Sequence, residues 1–276
     1  MTRACVVGWP VEHSRSPLIH GHWLQVYGIA GSYTKEAVRP ENLGAFLGSL
    51  PERGFSGCNV TLPHKEAAFA AAAERDPSAL AVGAANTLWI AEGRLCAANT
   101  DTYGFMTHLS RAVPDWSSSD RPVAIFGAGG AARAIVHGFL EAGVAEILLF
   151  NRTRDRAEAL AHVFHNRRGR IKVLDWAGAA RDARVVVNTT SLGMIGTASL
   201  DLDFKQFDDR TVVADVVYVP LETPLLRSAR LHGLRTVDGL GMLLHQAVPG
   251  FEKWFGVRPE VTDALRALVV ADIEGR

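Results

Sequence analysis

The chain has 276 residues, enough for one large α/β domain or two smaller ones. Its composition, 48% hydrophobic and 21% charged, is that of an ordinary globular protein. With 29 Lys+Arg against 29 Asp+Glu the formal charge is zero, which removes the electrostatic argument for nucleic acid or an anionic membrane as partner while still allowing a local positive pocket.

The opening MTRACVVGWPVEHS has too short an apolar run for a signal peptide, and no later run is long enough to span a bilayer. Ala4 to Gly8 reads as a strand and Pro17 to Tyr27 as a helix. Tyr33 to Val38 alternates as a strand, Asn42 to Leu50 carries helical spacing, and Gly57 to Thr61 is a further short strand. HKEAAFAAAAE is a helix by propensity, and NTLWIAEGRLCAAN a hairpin turning at Glu92-Gly93. Cys5, Cys58 and Cys96 lie in β-prone stretches without metal-ligand spacing, as free thiols of a reducing compartment would. A cytoplasmic protein is expected.

After the polar, linker-like PDWSSSDRP the pattern changes. PVAIFGAGGAARAIVHGFLEAG reads strand, Gly-rich turn, helix, and EILLFNRT supplies the next strand. Further strands follow at IKVLDW, RVVVNTTS and TVVADVVYVP, separated by helix-length segments: the repeat of a doubly wound parallel sheet. Beyond Asp238 the chain reads as helix, with two terminal helices that exceed what one nucleotide domain needs.

Gly127-Ala128-Gly129-Gly130-Ala131-Ala132 matches G-x-G-x-x-A between a strand and a helix. The first glycine makes the tight turn, the second admits a pyrophosphate to the backbone, and the small third residue lets helix and strand pack closely. The helix N-terminus adds amide donors. After the next strand, where an NAD site places an acid, stand Asn151-Arg152-Thr153, then Arg154 and Arg156. A guanidinium pairs with a 2′-phosphate that an acid would repel, so this turn favours NADP.

Earlier in the chain, small polar groups recur at spacings of two. In an extended segment Ser14 and Ser16 would share one face, with Arg15 on the other. Asn59 and Thr61 end a strand, Pro63 starts a helix that carries Lys65, and Asn99 and Asp101 follow the hairpin. Any one pair fits turn or cap chemistry equally well; several together at strand-to-loop transitions suit a hydroxyl-rich ligand. His13, His20 and His22 do not share a helix face and lack acidic or thiol partners at ligand spacing, so no metal is expected. The Arg167, Arg168, Arg170 cluster reads as a solvated loop, and His245 as a packed or surface histidine.

The strings GWPVEHSRSPLIH, NVTLPHKE, GAANT, NTD, GAGGAAR, NRT, NTTSLGM and DGLGMLLHQA, in this order and spacing, resemble the shikimate dehydrogenase family over nearly the whole chain. The resemblance implies a substrate domain of residues 1–103 and 240–276 around a Rossmann-type NADP domain of residues 104–239. It implies NADPH-linked, reversible reduction of 3-dehydroshikimate to shikimate, on the way to chorismate and the aromatic amino acids. Carried over by motif, Ser14, Ser16 and Tyr218 hold the substrate carboxylate. Asn59, Thr61, Asn86, Asp101 and Gln246 hold its hydroxyls and carbonyl edge, and Lys65 with Asp101 transfers the proton. Gly127, Ala128, Gly129, Gly130 and Ala131, then Asn151, Arg152, Thr153 and Arg156, contact NADP, with Val216 and Gly239 near the nicotinamide. Two positions depart from the family pattern: Thr102 where glycine is usual, and Gly21 where asparagine is frequent. A quinate/shikimate dehydrogenase, a non-catalytic ligand sensor and a lysine Schiff-base enzyme are the competing readings. The Ser14/Ser16 pair and the Arg152 turn favour shikimate and NADP, Lys65 with Asp101 argues against a sensor, and the nucleotide fingerprint argues against a Schiff base. A homodimer is left open.

Overall fold

The structure, a computed structural model, describes residues 1–167, 169–176 and 180–275. The chain divides into two compact units, Met1–Asp101 with Leu244–Arg276, and Thr102–Leu243.

The first unit begins with β1 (Thr2–Gly8), α1 (Ser16–Val26), β2 (Gly31–Ala37), α2 (Leu43–Gly48), β3 (Phe55–Val60) and α3 (Lys65–Ala71). Then come β4 (Glu74–Arg75), α4 (Pro77–Val82), β5 (Thr87–Ala91) and β6 (Arg94–Ala98). They form a six-stranded mixed sheet in the order β2-β1-β3-β5-β6-β4. The hairpin turns at Glu92 and Gly93, both at positive φ (51° and 71°), the backbone that a two-residue loop matched to strand twist requires. Apolar residues of β1, β3 and the helices bury together around Phe46, Leu50, Phe55, Val60 and Leu88. On the other face Ala4, Val6 and Tyr33 pack on Trp254 from the chain's C-terminal part.

In chain order β6 is followed by α5 (Asp101–Ala112), whose first residue closes the first unit's N-terminal segment. The second unit continues with β7 (Val123–Phe126), α6 (Gly130–Glu141), β8 (Glu146–Phe150), α7 (Arg154–Val163) and β9 (Arg170–Leu174). It is completed by β10 (Val185–Asn188), β11 (Val212–Asp215), α8 (Pro224–Leu231) and β12 (Arg235–Val237). All pairs are parallel, in the order β12-β11-β10-β7-β8-β9, the 3-2-1-4-5-6 order of a dinucleotide fold. Both faces are covered, so each strand sends alternate residues into two cores. Val123, Ile125, Val185 and Val187 face one, and Ala124, Phe126, Val186 and Val213 the other. That double burial is why these strands read as unbroken apolar runs rather than as alternation. The chain ends in α9 (Gly239–Phe255) and α10 (Asp263–Ile273).

Several local expectations change. Ser14 and Ser16 are not in an extended segment: Arg15 is already in the helical region, Ser16 opens α1, and the Ser16 amide donates to Ser14 Oγ. Pro17 fits the first helical turn, where its missing N–H costs nothing, so the helix starts earlier than its spacing suggested. The Ala-rich α3 starts at Lys65 rather than at Pro63 and stops at Ala71, because Ala72 turns extended and Ala73 donates to the Leu95 carbonyl. Tertiary pairing there overrides propensity. The β10–β11 crossover holds only a 3₁₀ turn at Phe204–Gln206 among its described residues, where a helix-length segment was expected. Arg170 opens β9 instead of lying in a loop, Arg167 pairs with Glu141, and Arg168 lies outside the described residues.

Both departures from the family pattern fit. The Thr102 hydroxyl donates to the Ala134 carbonyl at 2.8 Å, and the side chains of Thr102 and Met106 occupy the space a Cβ at Gly138 would need. Gly21 sits on the exposed side of α1, with open space where a side chain would project. Among the described residues no helix is long and apolar enough to cross a membrane, and no group of His, Cys, Asp or Glu has the arrangement of a metal site.

Candidate active site

In the first unit, the strand ends of β3, β5 and β6 bring polar side chains together in an otherwise apolar setting. His64 is buried, with Nε2 2.7 Å from the Val38 carbonyl, and this fixes the residue that precedes α3. Lys65 follows as the first residue of that helix. Its Nζ donates to Asp101 Oδ2 at 2.6 Å, and the lysine side chain keeps 27% of its exposure while Asp101 keeps 10%. The ammonium therefore has protons left for a ligand. Asp101 begins α5, where the helix N-terminus favours a carboxylate, and its amide donates to Asn99 Oδ1.

Asn86 sits at the centre of this cluster. Its Nδ2 donates to Asp101 Oδ1 at 2.8 Å and to Thr100 Oγ1 at 3.0 Å, and lies 3.4 Å from Gln246 Oε1. Its Oδ1 accepts from the Thr100 amide and the Thr87 hydroxyl. Thr100 in turn donates to the Gln246 carbonyl at 2.7 Å, which ties α9 to the cluster. Asn59 is also here, but both its amide hydrogens are committed inside the protein, to the Asn86 carbonyl and to Thr87 Oγ1. It supports the site rather than offering a free donor. Thr61 is half-buried just beyond β3. Ser16 is buried and Ser14 half-buried.

The structure thus gathers Lys65, Asp101, Asn86, Gln246 and Asn59 into one bonded network. Asn99, paired with Asp101 by spacing, joins it by accepting from the Asp101 amide, and Tyr33, Thr87 and Thr100 come in without having stood out in the sequence. The signal for two of them was present: Thr87 and Thr100 stand inside the strings GAANT and NTD. Tyr33 carried none, since a tyrosine in a strand reads as core. Tyr218, paired with the serines on motif grounds, belongs to the second unit and is half-buried after β11. His20 is fully buried, stacked on Tyr33 at 4.0 Å between ring centres; burial pulls it down to about 3, so it is a neutral packing group.

In the second unit, Gly127 follows β7 at φ +115°, and its amide donates to the Phe150 carbonyl. A Cβ there would collide with Thr189 Oγ1, which itself donates to the Phe126 carbonyl. Gly129 and Gly130 are exposed, with open space around them, and Gly130 begins α6. Ala128 and Ala131, on either side of them, are half-buried, and Ala132 is fully buried against the sheet. Bare backbone at the head of a twelve-residue helix is the cradle a pyrophosphate needs.

Beyond β8, Asn151 Nδ2 donates to the Thr153 carbonyl and shapes the turn. Arg154 is occupied by Glu158 and Asp175. Arg152 and Arg156 are exposed beside Thr153 and make no ion pair among the described residues, which leaves two guanidiniums for a phosphate. The donor set fits a 2′-phosphorylated dinucleotide. At the ends of β10 and β11, Asp215 is buried and accepts from Asn188 Nδ2, the Val217 amide and the Thr223 hydroxyl. Burial pushes its carboxyl up to about 6. This network holds the segment carrying Val216 and Tyr218. Gly239 abuts it so closely that a Cβ would meet the Val216 carbonyl.

Residues 6–88 match the family described as shikimate dehydrogenase substrate binding domain, 109–201 that of shikimate / quinate 5-dehydrogenase, and 239–269 that of the shikimate 5′-dehydrogenase C-terminal domain. A shikimate dehydrogenase (NADP(+)) of Azorhizobium caulinodans is 54% identical over 100% of this chain and 98% of its own length. The shikimate 5-dehydrogenase of Thermus thermophilus, solved with NADP(H) and shikimate, superposes with a TM-score of 0.87 at 37% identity, over 98% of this chain and 100% of that one. A quinate dehydrogenase of Corynebacterium glutamicum, solved with NAD, gives 0.90 at 30% identity, over 98% of this chain and 99% of that one. With its nucleotide cradle, its lysine–carboxylate network and this full-length likeness, the chain belongs to the shikimate dehydrogenase family.

Proposed function

We infer that the protein is an NADP-dependent oxidoreductase that reduces 3-dehydroshikimate reversibly to shikimate, in the biosynthesis of chorismate and the aromatic amino acids. The observation that carries the reading is the Lys65–Asp101 pair, 2.6 Å apart within a network of amide and hydroxyl groups. NADPH, when bound, supplies the hydride.

This chain's residues supply the rest. Reduction builds negative charge on the ketone oxygen, and Lys65 Nζ donates the proton that neutralises it. Asp101 holds the ammonium through Oδ2 and is itself held through Oδ1 by Asn86. In the reverse direction Lys65 accepts the proton of the alcohol. Ser14 and Ser16, with Tyr218, read the substrate carboxylate; Thr61, Asn86, Asp101 and Gln246 read its hydroxyls and carbonyl edge, with Asn59 behind them. Gly127, Ala128, Gly129, Gly130 and Ala131 receive the pyrophosphate. Asn151, Thr153, Arg152 and Arg156 receive the 2′-phosphate end, and Val216 and Gly239 border the nicotinamide. Three free, buried cysteines support a cytoplasmic location. The Cys58 thiol beside it and burial both push the Cys5 thiol far up, so it is a core group and not a reactive one.

Initial rates with shikimate or quinate, each paired with NADP or NAD, test the reading. Shikimate with NADP is the expected best pair. A higher kcat/KM for quinate with NAD would transfer the protein to the quinate branch.

A further inference from the structure

Five buried side chains form a hydrogen-bonded chain in which every donor points the same way. Tyr33 Oη donates to Asn59 Oδ1 at 2.6 Å, and Asn59 Nδ2 donates to Thr87 Oγ1 at 3.2 Å. Thr87 donates to Asn86 Oδ1 at 3.0 Å, and Asn86 Nδ2 to Asp101 Oδ1 at 2.8 Å. The chain ends on the carboxylate that Lys65 grips from its other oxygen.

Main-chain groups that cannot reverse their role set this direction. Asn59 Nδ2 faces the Asn86 carbonyl at 3.1 Å, so the Asn59 oxygen must face Tyr33, and the phenol must donate. Asn86 Oδ1 faces the Thr100 amide at 2.8 Å, so its nitrogen must face Asp101. Thr87 accepts from Asn59, and its own single proton then goes to Asn86. Burial pushes the Tyr33 phenol well above its ordinary value, so it remains a donor. Aligned bonds polarise one another, and in a dry interior the alignment strengthens the last donor, the one on the anion.

We propose that Tyr33, Asn59 and Thr87 are positioning residues for the Lys65–Asp101 pair, acting through a one-way hydrogen-bond relay that ends at Asp101. The proposal rests on the reading of that pair as the proton-transfer group. Thr87 is the informative link, because it is fully buried and one substitution removes its bonds to Asn59 and Asn86, with the 3.4 Å contact to Thr100 Oγ1, without changing its shape.

The experiment measures kcat, the shikimate KM and the NADP KM for Thr87→Val, Thr87→Ser, Tyr33→Phe and Lys65→Ala. Thr87→Val should lower kcat roughly tenfold and Tyr33→Phe by roughly threefold, as expected for losing one net hydrogen bond at or behind the pair. The NADP KM should stay constant, and Thr87→Ser, which keeps the hydroxyl, should restore kcat. Should Thr87→Val fail to fold, Tyr33→Phe decides alone. The relay is overturned if Lys65→Ala is slow while Thr87→Val and Tyr33→Phe turn over normally. It is equally overturned if Thr87→Ser is as slow as Thr87→Val, or if only the shikimate KM moves. A Lys65→Ala enzyme with normal kcat would instead remove the reading on which the relay rests.

Discussion

At Lys65 one contact separates a surface lysine from the proton donor proposed above: the 2.6 Å bond to a carboxylate held on its other side by Asn86. Such a group meets charge that develops only in the transition state, so its loss should appear in turnover rather than in binding. Lys65→Ala is expected to lower kcat by about 10²–10⁴-fold with the NADP KM unchanged; steady-state kinetics checks both. Arg152 is the corresponding residue of the nucleotide end, since Arg154 is already spent on Glu158 and Asp175. Arg152→Ala should raise the NADP KM by the equivalent of about 1.5–3 kcal/mol and leave NAD use nearly unchanged. Equal weakening toward both cofactors would mean that the turn does not read the phosphate. The motifs singled out Lys65, Asp101 and Arg152 in the sequence, and the structure joins the first two in one ion pair and leaves the third exposed. The motifs did not reveal that the Asn59 donors are consumed internally, or that Tyr33 is the group that orients it. Which of two amide ends faces a ligand depends on neighbours distant in the chain.

Among the elements, the β7–α6 turn ties sequence to function most tightly. Gly127 needs a positive φ and an empty Cβ position beside Thr189, and no other residue type offers both. Gly127→Ala should cost about 1–3 kcal/mol from backbone strain alone, more with the clash, and should weaken NADP binding beyond that. Calorimetric unfolding with and without NADP would show it, and an unchanged NADP-induced rise in Tm would contradict the cradle. The parallel strands could be read because double burial demands continuous Val, Ile and Phe, and the hairpin because Glu92-Gly93 supplies the positive φ values. Helix ends were less legible. Ala72 and Ala73 favour helix, yet Ala73 pairs with Leu95 across the sheet edge, a bond no local propensity registers.

Across the whole molecule, acid should act oppositely on the two units. In the first, His20 falls to about 3 from an ordinary 6.5 because burial disfavours its charge. Its contribution to stability is present above about pH 6.5 and is lost as pH drops toward the folded value. In the second, burial raises Asp215 from 3.8 to about 6. Its contribution is full below the unfolded value and disappears as pH rises through about 6, a change of about 3 kcal/mol at most. Hydrogen exchange resolved by peptide between pH 4 and 6.5 should show protection falling in the first unit on acidification and rising in the second. Asp215→Asn should flatten the second trend; the same slope in the variant would assign it to another group. The sequence by itself determined the α/β class, the parallel nucleotide sheet and the family, because periodicity, turn chemistry and motif order are local properties of the chain. Only the tertiary structure decided that Ser16 begins a helix, that the β10–β11 crossover makes do with a 3₁₀ turn, and that four buried polar groups align on Asp101. Those outcomes depend on which donors and acceptors remain unsatisfied once distant segments meet, and a buried polar group settles its partner only then.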